Sequence, residues 1–424
     1  MSTDRPRYKH IDDVERLDYY EKGGYHPIQI GDYLHKQYRI VHKLGHGSYS
    51  TIWLARDEGL SRYVAIKVGT SGSNHKDFDI PNRLADHFAG EETRGRALVP
   101  SVLDRFDIDG PNGIHPCLVT KPAMCSLADT VEAGSFDPFR TDVARALAAQ
   151  LAMAVAYTHS AGLVHGDIHF GNLLPRMPTG IDDLTDQQLY ERYGLPEPEA
   201  VVREDGQPLS SPSVPSNVYA CIWMGKPSNE LSLDESKLIL SDFGTAFSPD
   251  EESRFISYTP LEICPPEARF EPTKSLTFPS DVWSLGCMVW AILGAKPLLG
   301  SWLFGPDNAT AAQVDILGPM PDDWWEKWGS PKKTELFHGN GKPKPGRSVW
   351  TLERLFEDSI QEPRREMGME MIGEDERKAI FEMVKGMLKF SPSQRLSAQQ
   401  VLETEWMRKW AIPEAERTWG TEGL

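Results

Sequence analysis

The sequence is short of positive charge. Its 45 lysines and arginines face 62 aspartates and glutamates, for a formal net charge of −17 at pH 7. That balance argues against general nucleic-acid affinity. It would favour a basic protein partner by electrostatic complementarity, although excess acid also simply keeps a chain soluble. Cysteine is scarce. Cys117, Cys125, Cys221, Cys264 and Cys287 are odd in number and lack zinc spacing, so buried small side chains in a reducing compartment are expected. Long apolar runs are also missing. Met1 to Lys9 is polar and has no signal-peptide core. The most apolar stretch, Val282 to Phe304, is interrupted by Lys296-Pro297, which predicts a buried helix ending near Gly294 and no membrane span. No repeat, low-complexity tract or basic targeting run is present. The expectation is an intracellular, soluble protein in the cytoplasm, the nucleus or both.

What is present is a change of pattern along the chain. Tyr38 to Val41, Thr51 to Leu54 and Tyr63 to Val68 read as strands, with Gly45 and Gly47 in a hairpin between the first two. His115 to Thr120 is a further β-rich run. After Met124 the character is helical, and Val143, Leu147, Leu151 and Val155 mark one apolar helix face leading to His165. At 424 residues the chain is long enough for two such regions and a large core.

Between these elements lie residues suited to phosphoryl transfer, which needs positioning and charge neutralisation more than covalent chemistry. Gly45 and Gly47 would let a backbone approach phosphates, with Ser50 where a third glycine could stand. A plain hairpin turn would explain these glycines as well. Lys67 ends an apolar strand and would contact phosphates, and Ala65 is small enough to leave room for a flat ring. Asp167 is a candidate base, and Asn172 and Asp242 offer hard oxygen ligands to a divalent cation. Asn172 and Asp242 are 70 positions apart. The Pro, Asp, Glu and Ser content of the intervening segment suggests a partly mobile linker. Thr185 to Gln188 nevertheless reads as a capping box with Gly194 as a helix stop, and Val218 to Met224 is apolar enough for a strand.

The order Gly45-His46-Gly47, Val64-Ala65-Ile66-Lys67, His165-Gly166-Asp167 with Asn172, Asp242-Phe243-Gly244, Pro265-Pro266-Glu267, Asp281 to Gly286 and Arg395 resembles the eukaryotic protein kinases from roughly Tyr33 to Trp410. Tyr20 to Asp32, Gly45 to Leu54 and the insertion before Asp242 are similar to the SR-protein kinases, in particular to divergent fungal members. The resemblance implies an α+β, two-lobed protein kinase fold with a small β-rich N-lobe and a larger, mainly α-helical C-lobe. The boundaries it gives are an arm over 1–32, N-lobe and hinge over 33–124, C-lobe over 125–412 with an insertion at about 176–236, and a tail over 413–424. It implies ATP and Mg2+ as cofactors and transfer to serine in arginine/serine-rich, splicing-type proteins by a monomer that binds neither nucleic acid nor membrane. Leu44, Gly45, Gly47, Ser48, Ile52, Ala65, Lys67, Lys121, Ala123, Asn172 and Asp242 would hold the nucleotide, with Asn172 and Asp242 also on the metal. Asp167, Lys67 and His169 would carry catalysis. Thr120 would control access behind the nucleotide, Glu267 and Arg395 would form a buried ion pair, and Asp281 would brace the catalytic loop. Asp322, Asp323 and Glu326 are candidate substrate-docking acids.

Three positions depart from the kinase pattern. Gly166 stands where many kinases carry Arg, a feature shared with SR-protein kinases, and predicts activity without phosphorylation at Ser257 or Thr259. His169 replaces the usual Lys, and His-Gly-Asp-x-His also occurs in aminoglycoside and choline kinases. The acid expected to pair with Lys67 falls at Asp79, which reads equally as a helix N-cap before Pro81; Glu91 and Glu92 are alternatives. A pseudokinase or scaffold, or a small-molecule phosphotransferase, therefore remains open beside the protein kinase.

Overall fold

The computed structural model describes residues 7–73, 76–87, 95–209, 211–299 and 305–420; Glu91 and Glu92 lie outside them. These residues form two compact units. The first draws on 1–86, 100–125 and 176–225, the second on 87–99, 126–175 and 226–424.

The first unit is built on six strands: β1 (Tyr33–Leu34), β2 (Tyr38–Gly47), β3 (Ser50–Asp57), β4 (Arg62–Gly69), β5 (Val102–Gly110) and β6 (Gly113–Thr120). All pair antiparallel in the order β1-β2-β3-β4-β6-β5. Strand β4 is internal, and its Tyr63, Val64, Ala65, Ile66 and Val68 are all buried, as an internal strand covered on both faces requires. Ile40, Trp53, Val64, Ile66, Val68, Cys117 and Val119 share one core. Strand β5, with the charged sequence VLDRFDIDG, is paired along its length with β6. Helix α1 spans Lys76–His87 with Pro81 inside it. Asp79 therefore lies within the helix and not at its N-cap, and the missing Pro81 N–H forgoes one helical bond.

Residues 176–225 pack into this first unit, which corrects both the mobile-linker expectation and their assignment to the helical region. Thr185 caps the helix Asp186–Tyr193 reciprocally with Gln188, and Gly194 at φ +99 ends it. Leu189, Ile222 and Met224 join Val41, Leu54 and Tyr63 in a second core. Val201 and Val218 pack with Ile11, Leu17, Tyr20 and Tyr25 of the N-terminal arm. The chain pairs Pro198–Ala200 with Asn217–Tyr219 to make that surface. Each apolar side chain here is buried by a segment far away in sequence, so local composition alone understates the order of the region.

The second unit centres on helix α2 (Leu127–Ala133), α3 (Thr141–Ser160) and the helix Phe278–Gly294. Val143, Leu147, Leu151 and Val155 of α3 are fully buried, as their spacing predicts. The apolar run from Val282 forms all but the first turn of the Phe278–Gly294 helix, which stops at Gly294 with Ala295 in the left-handed region at φ 55. Among the described residues no helix is long and apolar enough to cross a membrane. Strand β7 (Leu173–Pro175) pairs antiparallel with Leu238–Leu240.

Candidate active site

In the first unit, β2 and β3 are paired to the tip, Gly45 opposite Ile52 and Gly47 opposite Ser50. Ser48 and Tyr49 make the turn. Neither Gly45 nor Gly47 has positive φ. A Cβ at Gly45 would meet only Ile52 Cδ1, at 3.8 Å, and one at Gly47 would meet nothing. The hairpin therefore does not need these glycines for its own geometry, and what they provide is open space beside the backbone. That favours close approach of a ligand over the plain-turn explanation.

Lys67 lies on β4, across from Ile52 on β3 and Leu118 on β6. Its Nζ is 6.0 Å from the Phe78 ring centroid. Ala65 stands beside Leu54 and Thr120. The segment after β6 carries Lys121, exposed, and Ala123, which bridges to Arg176. Cys125 then bonds Met224 through its backbone N–H at 3.4 Å and its Sγ at 3.1 Å. Leu44 packs with Cys125 and Met224. Residues 222–224 thus contact both β2, where Ile222 N–H donates to the Lys43 carbonyl at 2.8 Å, and the segment that follows β6. Asp79 carries an ion pair with Arg105 of β5. This neighbour of the acid expected to pair with Lys67 is placed beside α1 by β5.

In the second unit, Asp167, His169, Asn172 and Asp242 come together although the sequence separates them. Pairing of Leu173 with Leu240 brings the two ends of the insertion side by side. Ser241 then donates to the Asn172 carbonyl from both its amide, at 2.8 Å, and its hydroxyl, at 3.0 Å. His165, fully buried, contacts the Ser241 carbonyl through Nε2 at 3.0 Å and packs edge-on against Phe243. Burial holds the His165 imidazole below its usual pKa, against the opposing pull of Asp281, so it acts as a neutral spacer. Asp242 adopts φ 56 and its Oδ1 accepts the Gly244 amide at 3.2 Å.

The Asp167 backbone is fixed at both ends. Its amide meets His165 Nδ1 at 3.3 Å, and its carbonyl accepts Asn172 Nδ2 at 2.9 Å. That second bond identifies the Asn172 oxygen as the end suited to a cation. With the Asp242 carboxylate it makes a hard-oxygen donor set of the kind divalent cations take. The Asp167 side chain is less committed. Oδ2 lies 3.5 Å from His169 Nε2, while Oδ1 is buried and has no hydrogen-bond partner among the described residues. A buried, unpartnered carboxylate oxygen is costly, and here it is an acceptor held ready for an incoming donor. His169 Nδ1 accepts the Gly171 amide at 3.1 Å, so in the neutral ring Nε2 carries the proton and faces Asp167.

The supporting shell of this unit follows the expectations for Asp281, Glu267 and Arg395. Asp281, 2% exposed, accepts the amides of His165 and Gly166 at 2.7 and 2.9 Å and contacts His159 Nε2 at 3.0 Å. Burial alone would raise its pKa; His159 and the Gly166 amide more than offset this and hold it below the usual range. Arg395 and Glu267 form a two-point buried pair at 2.6 and 2.7 Å. Arg364, which no motif singles out, is fully buried, donates to Thr141 Oγ1 and the Leu293 carbonyl, and is lowered to about 10 by burial.

Residues 225–407 match the protein kinase domain family. The chain is 25% identical over 403 residues to a serine/threonine protein kinase of Aspergillus fumigatus, covering 93% of this chain and 90% of that one. It is 26% identical over 417 residues to the serine/threonine-protein kinase SRPK of Physarum polycephalum, covering 93% and 91%. Over a shorter stretch of 169 residues, 38% of this chain and 30% of the relative, it is 30% identical to human SRSF protein kinase 3.

Proposed function

We propose that this chain, which matches the protein kinase domain family over residues 225–407 and resembles serine/threonine protein kinases along most of its length, is itself such a kinase and transfers the γ-phosphate of ATP to serine in arginine/serine-rich proteins, with Mg2+ as the divalent ion. The observation that carries the reading is Asp167 Oδ1, a buried acceptor without a partner among the described residues, in a loop whose backbone is fixed by His165 and Asn172. In this reading the two units are the two lobes of the kinase fold. The serine hydroxyl donates to Asp167, its oxygen bonds to the γ-phosphorus, the bond to ADP breaks, and the proton passes to the carboxylate. Asn172 and Asp242 would hold Mg2+, which supplies charge neutralisation on the phosphates. Lys67 binds the phosphates, the Gly45–Gly47 hairpin covers them, and Lys121 and Ala123 offer backbone groups to adenine. His169 directs its Nε2 proton toward Asp167 and lends less positive charge than a lysine would.

The formal charge of −17 supports a basic substrate, and Asp322, Asp323 and Glu326 are where we place its docking. The enzyme would work as a monomer in the cytoplasm or nucleus. A second reading, a scaffold with weak turnover, draws on His169, which stands where kinases usually carry a lysine. Transfer of labelled phosphate to an arginine/serine-rich peptide, compared with a generic basic protein, decides substrate class. Preference for the peptide is expected; Mg·ATP binding with no transfer to either would favour the scaffold.

A further inference from the structure

The segment Tyr20 to Asp32 resembles a family lead-in, yet the phosphoryl-transfer chemistry leaves it without a role. In the structure it is a buried brace on the hairpin. Tyr25, 2% exposed, donates its hydroxyl to the Gly47 carbonyl at 2.7 Å. The ring is held from several sides. Asn112, at the β5–β6 turn, donates to the Tyr25 carbonyl at 2.7 Å. Tyr25 N–H bonds the Tyr19 carbonyl at 3.0 Å, and the rings of Tyr19 and Tyr20 pack against it at 6.0 and 5.5 Å. Gly24 is required for this turn, since a Cβ there would lie 1.8 Å from the Tyr19 carbonyl oxygen. Below the hairpin, Lys43 of β2 is fully buried and paired with Glu15 of the arm, which also accepts the Tyr20 hydroxyl. Lys43 is two residues before Gly45, so the arm grips the strand at its middle and at its tip.

The grip at the tip has a directional consequence. The Gly47 carbonyl and the Ser48 N–H belong to one planar trans peptide and point in opposite directions. A hydroxyl fixed on the carbonyl therefore turns the Ser48 N–H away from the arm and removes the rotation that two open glycines would otherwise allow. We infer that Tyr25 is a positioning residue for the nucleotide phosphates: it acts through the Gly47–Ser48 peptide, with the buried Glu15–Lys43 pair anchoring the arm that carries it. This rests on the reading of the hairpin as the ATP phosphate loop.

Tyr25→Phe removes only the hydroxyl, and the exposed Gly47 carbonyl it leaves can take water. The dissociation constants of Mg·ATP and of adenosine are measured for the full-length wild type and the variant by calorimetry. Loss of one hydrogen bond predicts Mg·ATP binding weakened about five-fold with adenosine unchanged, because adenosine has no phosphates to position. Hydrogen exchange of the peptide covering residues 45–50 should also be faster in the nucleotide-free variant. Equal weakening of both ligands would mean a general loosening of the unit, and unchanged binding of both would mean no role; either overturns the inference while leaving the ATP site standing. Failure of the wild type itself to bind Mg·ATP overturns the site reading and, with it, this one.

Discussion

Asp281 accepts the backbone amide of Gly166 at 2.9 Å and, one residue earlier, that of His165 at 2.7 Å. One buried carboxylate on the helix Phe278–Gly294 thus fixes the two peptides that lead into Asp167. Asp281→Asn would place an NH2 group where acceptors are needed. Loss of a charge-assisted bond of about 1.5–3 kcal/mol predicts kcat lower by about 10- to 100-fold. Steady-state kinetics should show this with KM for ATP little changed, since the nucleotide contacts proposed on Gly45, Gly47 and Lys67 are untouched.

Gly166 explains why no arginine stands before Asp167. Its φ is +79, and a Cβ there would sit 3.1 Å from the Thr245 carbonyl oxygen. A cation reaches the same carbonyl from elsewhere: the Arg254 guanidinium donates to it and lies 4.9 Å from the Phe247 ring centroid. Ser257 and Thr259 hydrogen-bond each other at 2.6 Å. The segment is therefore braced without a phosphate. Phosphatase-treated enzyme should keep its full rate in a transfer assay, and a large loss would show that an activating phosphate is needed.

Arg395 and Glu267 are a buried pair with Arg395 also donating to the Lys389, Pro279 and Phe390 carbonyls. Arg395→Met would strand the Glu267 carboxylate. The expected loss is about 3–5 kcal/mol in urea unfolding, expressed as a lower midpoint with an unchanged slope.

Acid should destabilise the protein through its histidines. Burial, helped by neighbouring His115, pushes His26 down to about 4, and burial likewise lowers His115 and His165. The folded state keeps these rings neutral while the unfolded chain takes up protons near pH ~6.5. Stability is thus unaffected above that pH and falls as pH drops from it toward 4. Asp281, depressed by its partners, keeps its contribution until pH falls below the unfolded carboxylate value of about 3.9, so the histidines govern the window. Melting temperatures measured across it should decline, and His26→Gln should shrink the decline.

The grouping of Asp167, Asn172 and Asp242 could be anticipated from residue order, because each sits in a short motif whose spacing is set by local backbone. The strands β2 to β4 and the α3 stripe were legible because their apolar runs and spacing are local. Strand β5 was not: Asp104, Arg105, Asp107 and Asp109 mask it, and its pairing with β6 supplies what its composition does not. The insertion misled because Leu189, Val201, Val218, Ile222 and Met224 find partners in β2 to β4 and in the N-terminal arm, far away in sequence. Asp79 illustrates the limit of a local frame. The helix places it where expected, but β5 brings Arg105 to it.

The central claim is that Asp167 accepts the proton of a serine hydroxyl during transfer from ATP. Its most direct test is phosphate transfer from Mg·ATP to an arginine/serine-rich peptide by the wild type and by Asp167→Ala, with ATP binding measured on both. The account predicts serine phosphorylation by the wild type, near-complete loss in the variant, and nucleotide binding preserved in each. Equal transfer by both proteins, or ATP binding by the wild type with no transfer at all, would contradict it.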